Sequence, residues 1–342
     1  MKASIQDVAS EAGVSVSTVS RTLSKPDLVL PDTRDKVLSA ARKLEYHASR
    51  SAASLKSGQT MRIALLPSSD ITTWFNSNVY AGLDSVFHPN GYDISIFPMT
   101  SADERQRFFA DLPVRRNADA VLVSSFNIDT SEVGKLKDMN VPLVGINVPS
   151  TEGFDATVNI NDIHAMSIAV NHLLSLGHRH LAYAYEVPDD SHHLHFSADI
   201  RHKGFLQACE ANPQAVPELI SIPNHADTTN TILNYLTASD HHPTAVCFQN
   251  DETAFPVLYR LRQYGHRVPQ DISLIGFDDL PLSKQIGFTT LRQDPFDLGR
   301  RAALKTLEAM SGSSADPQFE DQPVQLIIRE TTAVASQQAV GA

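Results

Sequence analysis

No glycine-rich phosphate loop follows any strand-like run in this chain. Neither GxGxxG nor GxxxxGK[ST] occurs, so nucleotide chemistry has no usual handle. A GxSxG nucleophile elbow is missing too, which removes the commonest hydrolase signature. Cysteine is scarce. Cys209 and Cys247 make neither a disulfide framework nor metal-ligand spacing, and they read as small core residues in a reducing compartment. No apolar run approaches transmembrane length, and the N-terminus reads as an amphipathic helix rather than a signal peptide, so the expectation is a cytoplasmic protein without a membrane partner. No heptad repeat near the C-terminus offers a tetramerisation helix.

What is present divides unevenly. A chain of 342 residues is too long for one ordinary core and implies two or three domains. The net charge of -11 hides an asymmetry: residues 1–60 hold nine Lys/Arg against six Asp/Glu, whereas the other 282 hold nineteen against thirty-three. A modestly basic head precedes an acidic body. Because phosphate contacts are made locally, the head decides nucleic-acid affinity, and so small an excess implies two heads acting together.

The head contains "IQDVASEAGVSVSTVSR". Ser4 is placed to cap a helix, with Asp7 completing a capping box. Ile5, Val8, Ala9 and Ala12 then share one face, and Gly13 suits a positive φ. Ser15 or Ser17 can cap a second helix that buries Val19 and Leu23. Helices this short need a third partner, and "LPDTRDKVLSAARKLEY" supplies it, with Pro31 in the first turn and Val37, Leu38, Ala41 and Leu44 on one stripe. The middle joint reads as helix-turn-helix. Residues 47–60, "HASRSAASLKSGQT", form a hinge segment with Leu55 as the one large apolar residue. It reads as a plain linker or as a short helix that orders on DNA, with Leu55 wedged into the minor groove.

From Met61 strands and helices alternate with short loops, which predicts parallel sheets covered on both faces. The rhythm runs through "MRIALLP", "YDISIFPM", "ADAVLVSS", "VPLVGIN" and "ATVNIND", then restarts at "HRHLAYAYEV" after the helix 163–177. The expected fold is an all-α helix-turn-helix domain (1–46) and hinge (47–60), followed by a two-lobed α/β effector-binding and dimerisation domain (61–333). Lobe one takes about 61–160 and 288–320, lobe two about 161–287 and 321–333. "PVQLIIRE" is expected as a late strand of lobe two, the helix "RQRFFADLPVRRN" is expected to be disturbed at its proline, and the last dozen residues are expected as a loose tail, with 334–342 outside the domain.

In open α/β sheets ligands bind at the carboxyl ends of the strands. Trp74 and Phe75 follow the first strand, Asn147 ends "VPLVGIN", Asn250 and Asp251 follow "AVCFQ", Asp278 and Asp279 end "ISLIGFDD", and Arg201 opens a helix after the sixth strand. Aromatic faces beside a carboxylate, amides and a guanidinium suit a sugar. Each also has a structural reading, as helix cap or core. "HHLH" at 192–195 lacks a frame that imposes metal geometry, so no metal and no cofactor are expected. Asp278 paired with another carboxylate would suit a glycosidase, but spacing identifies no partner, and an enzyme is not the expectation.

Taken together, "IQDVASEAGVSVSTVSRTLS", "TRDKVLSAARKLEY", "HLLSLGHRHLAY", "QNDETAFPVLYRLRQYGHRVPQDISLIGFDD", "FTTLRQDPFDLGRRA" and "LIIRETT" resemble the lactose-repressor/galactose-repressor family of bacterial transcription regulators over nearly the whole chain. The resemblance implies that Val16, Ser17 and Arg21 face base edges while Thr18, Ser20 and the amide end of the first helix touch phosphates, with Ser15 also among the DNA-binding residues. It places Ser49, Arg50, Ala52, Ala53, Leu55 and Lys56 in a hinge on the minor groove. Asn147, Arg201, Asn250 and Asp278 fall on effector-contact positions, and Trp74 or Phe75 on the aromatic under a sugar ring. Three departures stand out: Ala48 and Ser49 replace the usual proline and asparagine, Leu30 replaces a serine cap, and Asn147 replaces an aspartate. The expectation is a homodimeric repressor of a pseudo-palindromic operator, released by a small carbohydrate. A corepressor-dependent regulator or activator with a purine-like ligand, and a sugar sensor without DNA function, are the alternatives.

Overall fold

Ser4 Oγ accepts from the Asp7 amide at 3.3 Å while Asp7 Oδ2 accepts from the Ser4 amide at 2.8 Å. This reciprocal box starts α1 (Ile5–Ala12), which Gly13 closes at φ 68. Ser15, rather than Ser17, caps α2 (Val16–Ser24), its Oγ accepting from the Thr18 amide at 3.2 Å. α3 (Pro31–Lys43) opens on Pro31 without a side-chain cap from Leu30. Val8, Val19 and Val37, one from each helix, meet at the centre of the head and are fully buried. Leu38, expected on the buried stripe, is exposed; Ala40 is buried in its stead, because the stripe runs through Val37, Ala40 and Ala41 at i, i+3 and i+4.

The computed structural model describes residues 3–24, 26–46, 59–99, 102–115, 118–138, 140–187, 197–223, 226–238, 243–313 and 317–336. The chain divides into two units between Met61 and Arg62. The hinge positions Ser49, Arg50, Ala52, Ala53, Leu55 and Lys56, and the histidines at 192–195, lie outside the described residues.

The second unit holds two six-stranded sheets. The first contains β1 (Arg62–Pro67), β2 (Asp93–Ile96), β3 (Ala120–Ser124), β4 (Leu143–Ile146), β5 (Ala156–Ile160) and β11 (Phe319–Gln322) in the order β11-β5-β4-β3-β1-β2, every pair parallel. The second contains β6 (His180–Glu186), β7 (Val216–Ile222), β8 (Ala245–Phe248), β9 (Ser273–Asp278), β10 (Thr290–Arg292) and β12 (Gln325–Ile327) in the order β12-β10-β9-β8-β6-β7, antiparallel at β12–β10 and parallel elsewhere. β3, β4 and β8 are buried along their whole lengths, which is why they read as unbroken apolar runs instead of alternating ones.

α4 (Trp74–Phe87), α5 (Ala102–Arg115), α6 (Thr130–Asp138) and α12 (Pro295–Met310) belong to lobe one; α7 (Asp162–Ser175), α8 (Ser197–Glu210), α9 (Thr228–Ala238), α10 (Asp251–Gln263) and the short α11 (Pro281–Gln285) belong to lobe two. α4 and α12 run in close contact because Gly82 and Gly299 carry no side chain: a Cβ on Gly82 would sit 2.0 Å from the Phe296 carbonyl oxygen, and one on Gly299 2.2 Å from that of Val79. The chain passes between lobes after β5, after β10 and between β11 and β12.

Four expectations need correction. The segment assigned to lobe one from residue 288 begins with β10, which pairs with β9 in the second sheet; only at α12 does the chain return. The expected switch to lobe two at 321 cuts through β11, which pairs with β5 of lobe one. α5 continues through position 113 to Arg115. The terminal stretch is held down as far as Ala335: Leu274 donates its amide to the Thr331 carbonyl at 2.7 Å, His178 Nε2 meets the Ala333 carbonyl at 2.9 Å, and Ala335 donates to the Leu176 carbonyl at 2.9 Å. Small residues with hydroxyl and backbone partners show no apolar periodicity, so this docking leaves no pattern.

Candidate functional site

At the carboxyl ends of the two sheets lies a cleft of about 220 Å³. It gathers Trp74, Phe75, Asn147, Arg201, Asn250 and Asp278; the strand-end candidates Asp251 and Asp279 are not in its lining and bond instead to Ser283 and Thr290 and to Arg292 and Arg329. In each sheet it adjoins the point where strand order reverses, β1 beside β3 in the first and β6 beside β8 in the second.

Lobe one supplies an uncharged wall. Thr73 caps α4, its hydroxyl accepting from Asn76, and this sets Trp74 and Phe75 on the first turn, both half-buried. Asn147 and Ser125 leave β4 and β3 in the left-handed region, at φ 49 and 69. Such backbone costs about 1–3 kcal/mol per residue and persists where the surroundings impose it. Asn147 Nδ2 donates to Ser197 Oγ at 3.2 Å, and the Ser197 amide donates to the Ser125 carbonyl at 3.3 Å, so two hydrogen bonds join the lobes across the cleft.

Lobe two supplies the charges. Arg201, buried on α8, donates from Nε to Asp162 Oδ1 at 2.8 Å and from Nη1 to the Gln249 carbonyl at 2.7 Å, while its guanidinium stacks 3.5 Å from the centroid of Phe277. Asp162 stands at the start of α7, the first crossing between lobes, and burial pushes its pKa up against the pull of Arg201. Asn250 serves as cap of α10, its Oδ1 accepting from Thr253 at 2.8 Å, so the structural and the cleft-lining readings of this residue hold together. Asp278 leaves β9 at φ 115. Burial pushes its pKa up to about 7, although Arg201 pulls the other way and Gln293 Nε2 donates to its Oδ1 at 2.6 Å.

Sequence reading missed the rest of the lining. Ser68, Ser69 and Ser125 follow strands and were within reach of the strand-end rule. Glu252 lies one residue into α10, and Gln293 lies on the second crossing, just after β10; neither position has a local signature. Gln293 is 4% exposed, and its Oε1 has no hydrogen-bond partner.

In the head, Val16, Ser17 and Arg21 project from one exposed side of α2. Ser15 Oγ lies 2.8 Å from Ser17 Oγ and 2.9 Å from Thr18 Oγ1, a hydroxyl cluster at the helix start. Thr22 turns inward and bonds the Thr18 carbonyl, while Ser20 is half-buried. Among the described residues no group of His, Cys, Asp and Glu is arranged to hold a metal ion, and no helix is long and apolar enough to cross a membrane.

A helix-turn-helix head followed by a two-lobed body with a polar cleft defines a ligand-regulated DNA-binding protein. Known proteins agree. Residues 4–49 match the bacterial regulatory proteins, lacI family, and residues 170–332 match the periplasmic binding protein-like domain. The HTH-type transcriptional repressor PurR of Vibrio campbellii is 30% identical over 337 residues, covering 96% of this chain and 98% of that protein; PurR of Yersinia pestis bv. Antiqua is 27% identical over 337 residues, covering 97% of each. The lac repressor dimer bound to operator and the anti-inducer ONPF shares the fold with a TM-score of 0.82 at 23% identity, covering 97% of this chain and 100% of that one. The regulator CelR in complex with cellobiose follows at a TM-score of 0.68 and 23% identity, covering 96% and 99%. The chain belongs to the lacI family of bacterial regulatory proteins and is a transcriptional repressor; members of this family bind operator DNA as dimers together with a small-molecule effector, and they are not enzymes.

Proposed function

We propose that this repressor senses a small carbohydrate. The observation that carries the reading is the pairing of a half-buried indole and phenyl ring on one wall with carboxylate, amide and hydroxyl groups distributed around the rest. A pyranose has the same two-sided character, with C–H faces for the rings and a belt of hydroxyls for the polar groups. Asn147, Asn250 and Asp278 take the hydroxyls, and Arg201 orients the ligand. The body pairs with a second copy, and the cytoplasm is its compartment. Two heads read the halves of a near-palindromic operator, since a two-fold protein demands a two-fold site. Arg21 pairs with guanine, Val16 contacts a thymine methyl, Ser17 faces a base edge, Thr18 and Ser20 hold the register at the phosphates, and the hinge enters the minor groove through Leu55. The sugar favours one lobe arrangement over the other, and that difference, not affinity as such, releases the DNA.

The test is fluorescence anisotropy of a labelled inverted repeat taken from beside the gene, titrated with mono- and disaccharides. Weakening of DNA binding by one sugar is expected; unchanged DNA affinity for every ligand shown to bind overturns release. Arg21→Ala is expected to cost about 1–3 kcal/mol of operator affinity and to relax base preference at one position. A second reading, a purine-type corepressor stacked on Trp74 or Phe75, is favoured by the full-length likeness to repressors named PurR. It requires the opposite sign: adding hypoxanthine or guanine tightens DNA binding.

A further inference from the structure

The cleft is rich in acceptors and poor in cations. Among the described residues one guanidinium, Arg201, borders it, and that guanidinium is already committed to the Asp162 carboxylate and the Gln249 carbonyl. Glu252 and Asp278 line the same space without a cation within ion-pair distance among the described residues. Gln293 Nε2 is spent on Asp278 Oδ1, while Gln293 Oε1 is a buried acceptor lacking any donor. Asn250 Oδ1 is spent on the Thr253 amide. With Asp162 behind Arg201, three carboxylates face one positive charge.

We infer that the effector is a donor-rich carbohydrate that is uncharged or carries a protonated amine, and that phosphorylated and acidic sugars are rejected. This rests on the carbohydrate reading of the cleft. An anionic group entering beside Glu252 meets like charge, to which the ionised fraction of Asp278 adds, in a partly dry space where the repulsion is screened far less than at an open surface. Hydroxyl hydrogens and ammonium hydrogens are what the carboxylates and the unpartnered Gln293 carbonyl lack. Burial also raises Asp278 toward neutrality, and a cationic ligand would draw it back to the charged form.

Isothermal titration of the full-length protein with three matched sets tests this: glucose, glucosamine and glucose 6-phosphate; the corresponding galactose series; and hypoxanthine with inosine 5′-monophosphate. The expected result is binding of a neutral or aminated sugar with the phosphate at least about 30-fold weaker, in keeping with the cost of like-charge contacts. Glu252→Gln is expected to narrow that ratio by about threefold or more, since it removes one of the repelling charges while keeping the side chain's size. A phosphorylated sugar binding as tightly as its parent overturns the inference and leaves the carbohydrate reading intact. If only the base binds, the carbohydrate reading fails, and so does the inference as stated; the base-to-nucleotide ratio then tells whether the cleft still excludes anions. Binding by none of the eight overturns both.

Discussion

Among the described residues Arg105–Glu132 in lobe one and Arg201–Asp162 in lobe two are buried arginine–carboxylate pairs, and of these two only the second borders the cleft. In lobe one Arg105 clasps Glu132 with two hydrogen bonds between α5 and α6, away from the ligand space. In lobe two Arg201 clasps Asp162 at the cleft floor. The same chemistry ties two helices together in one lobe and borders the cleft in the other. The difference follows from chain order. Asp162 lies on a crossing between lobes and Arg201 on the helix packed against it, whereas Arg105 and Glu132 join two helices of a single lobe. A polar pair becomes functional when its partners come from elements that meet at the strand ends.

The largest effect that sharpens this contrast is expected from Asp162→Ala. It leaves Arg201 buried and unpaired, with an expected loss of about 3–5 kcal/mol. Urea denaturation of the body measures it. The double replacement Asp162→Ala with Arg201→Met is expected to recover part of the loss while abolishing effector response. If the double variant is no more stable than the single one, the pair is not what holds the cleft floor.

Lobe one is expected to depend on helix proximity instead. Gly82→Ala forces a methyl against the Phe296 carbonyl and is expected to cost about 1–3 kcal/mol or more. Gly134→Ala, in α6 of the same lobe with nothing within 4 Å of the new methyl, is the control, with an expected gain of about 0.5–1 kcal/mol. Equal effects in thermal melts would show that the α4–α12 contact yields freely. On the ligand side, Trp74→Ala is expected to weaken binding of the proposed sugar by about tenfold, or about 1.4 kcal/mol, with the melting temperature nearly unchanged because the indole is half-buried at the cleft edge.

The alternation of strands and helices was legible because buried parallel strands are apolar throughout and their connections are short. The six cleft residues were legible because they sit at strand ends or match a known motif. Other features had no local signal. β11 reads Phe-Glu-Asp-Gln, an edge strand with two carboxylates, and edge strands tolerate charge without announcing themselves. β10 is three residues long and its sheet is decided by a partner, β9, that competes with no sequence pattern. Glu252 and Gln293 reach the cleft through the geometry of a helix start and a crossing, neither of which has a periodicity. The terminal threonines dock by hydroxyl bonds to Leu274 and Thr289, and hydroxyl bonding is invisible to hydropathy.

The expected effect that most finely separates the lobes is pH dependence. Burial raises Asp251 to about 6 and Asp278 to about 7, and both lie in lobe two. In the unfolded chain these groups lose their protons near 3.9. Between about pH 4 and 7 the folded state therefore binds more protons than the unfolded state, and stability falls as pH rises through that window; the contribution is fully present below it. In lobe one the amide and hydroxyl of Thr72 hold Asp70 below its ordinary value, which gives the opposite sign: that contribution is present at neutral pH and is lost on acidification. Native-state amide exchange resolves the two. Protection in β9 and α10 is expected to decline from pH 5 to 7.5, after correction for intrinsic exchange, and protection at the start of α4 to hold. Asp278→Asn removes one titrating group and is expected to flatten the decline in lobe two. An unchanged slope in that variant would show that Asp278 keeps its charge in the folded protein, with Arg201 outweighing burial.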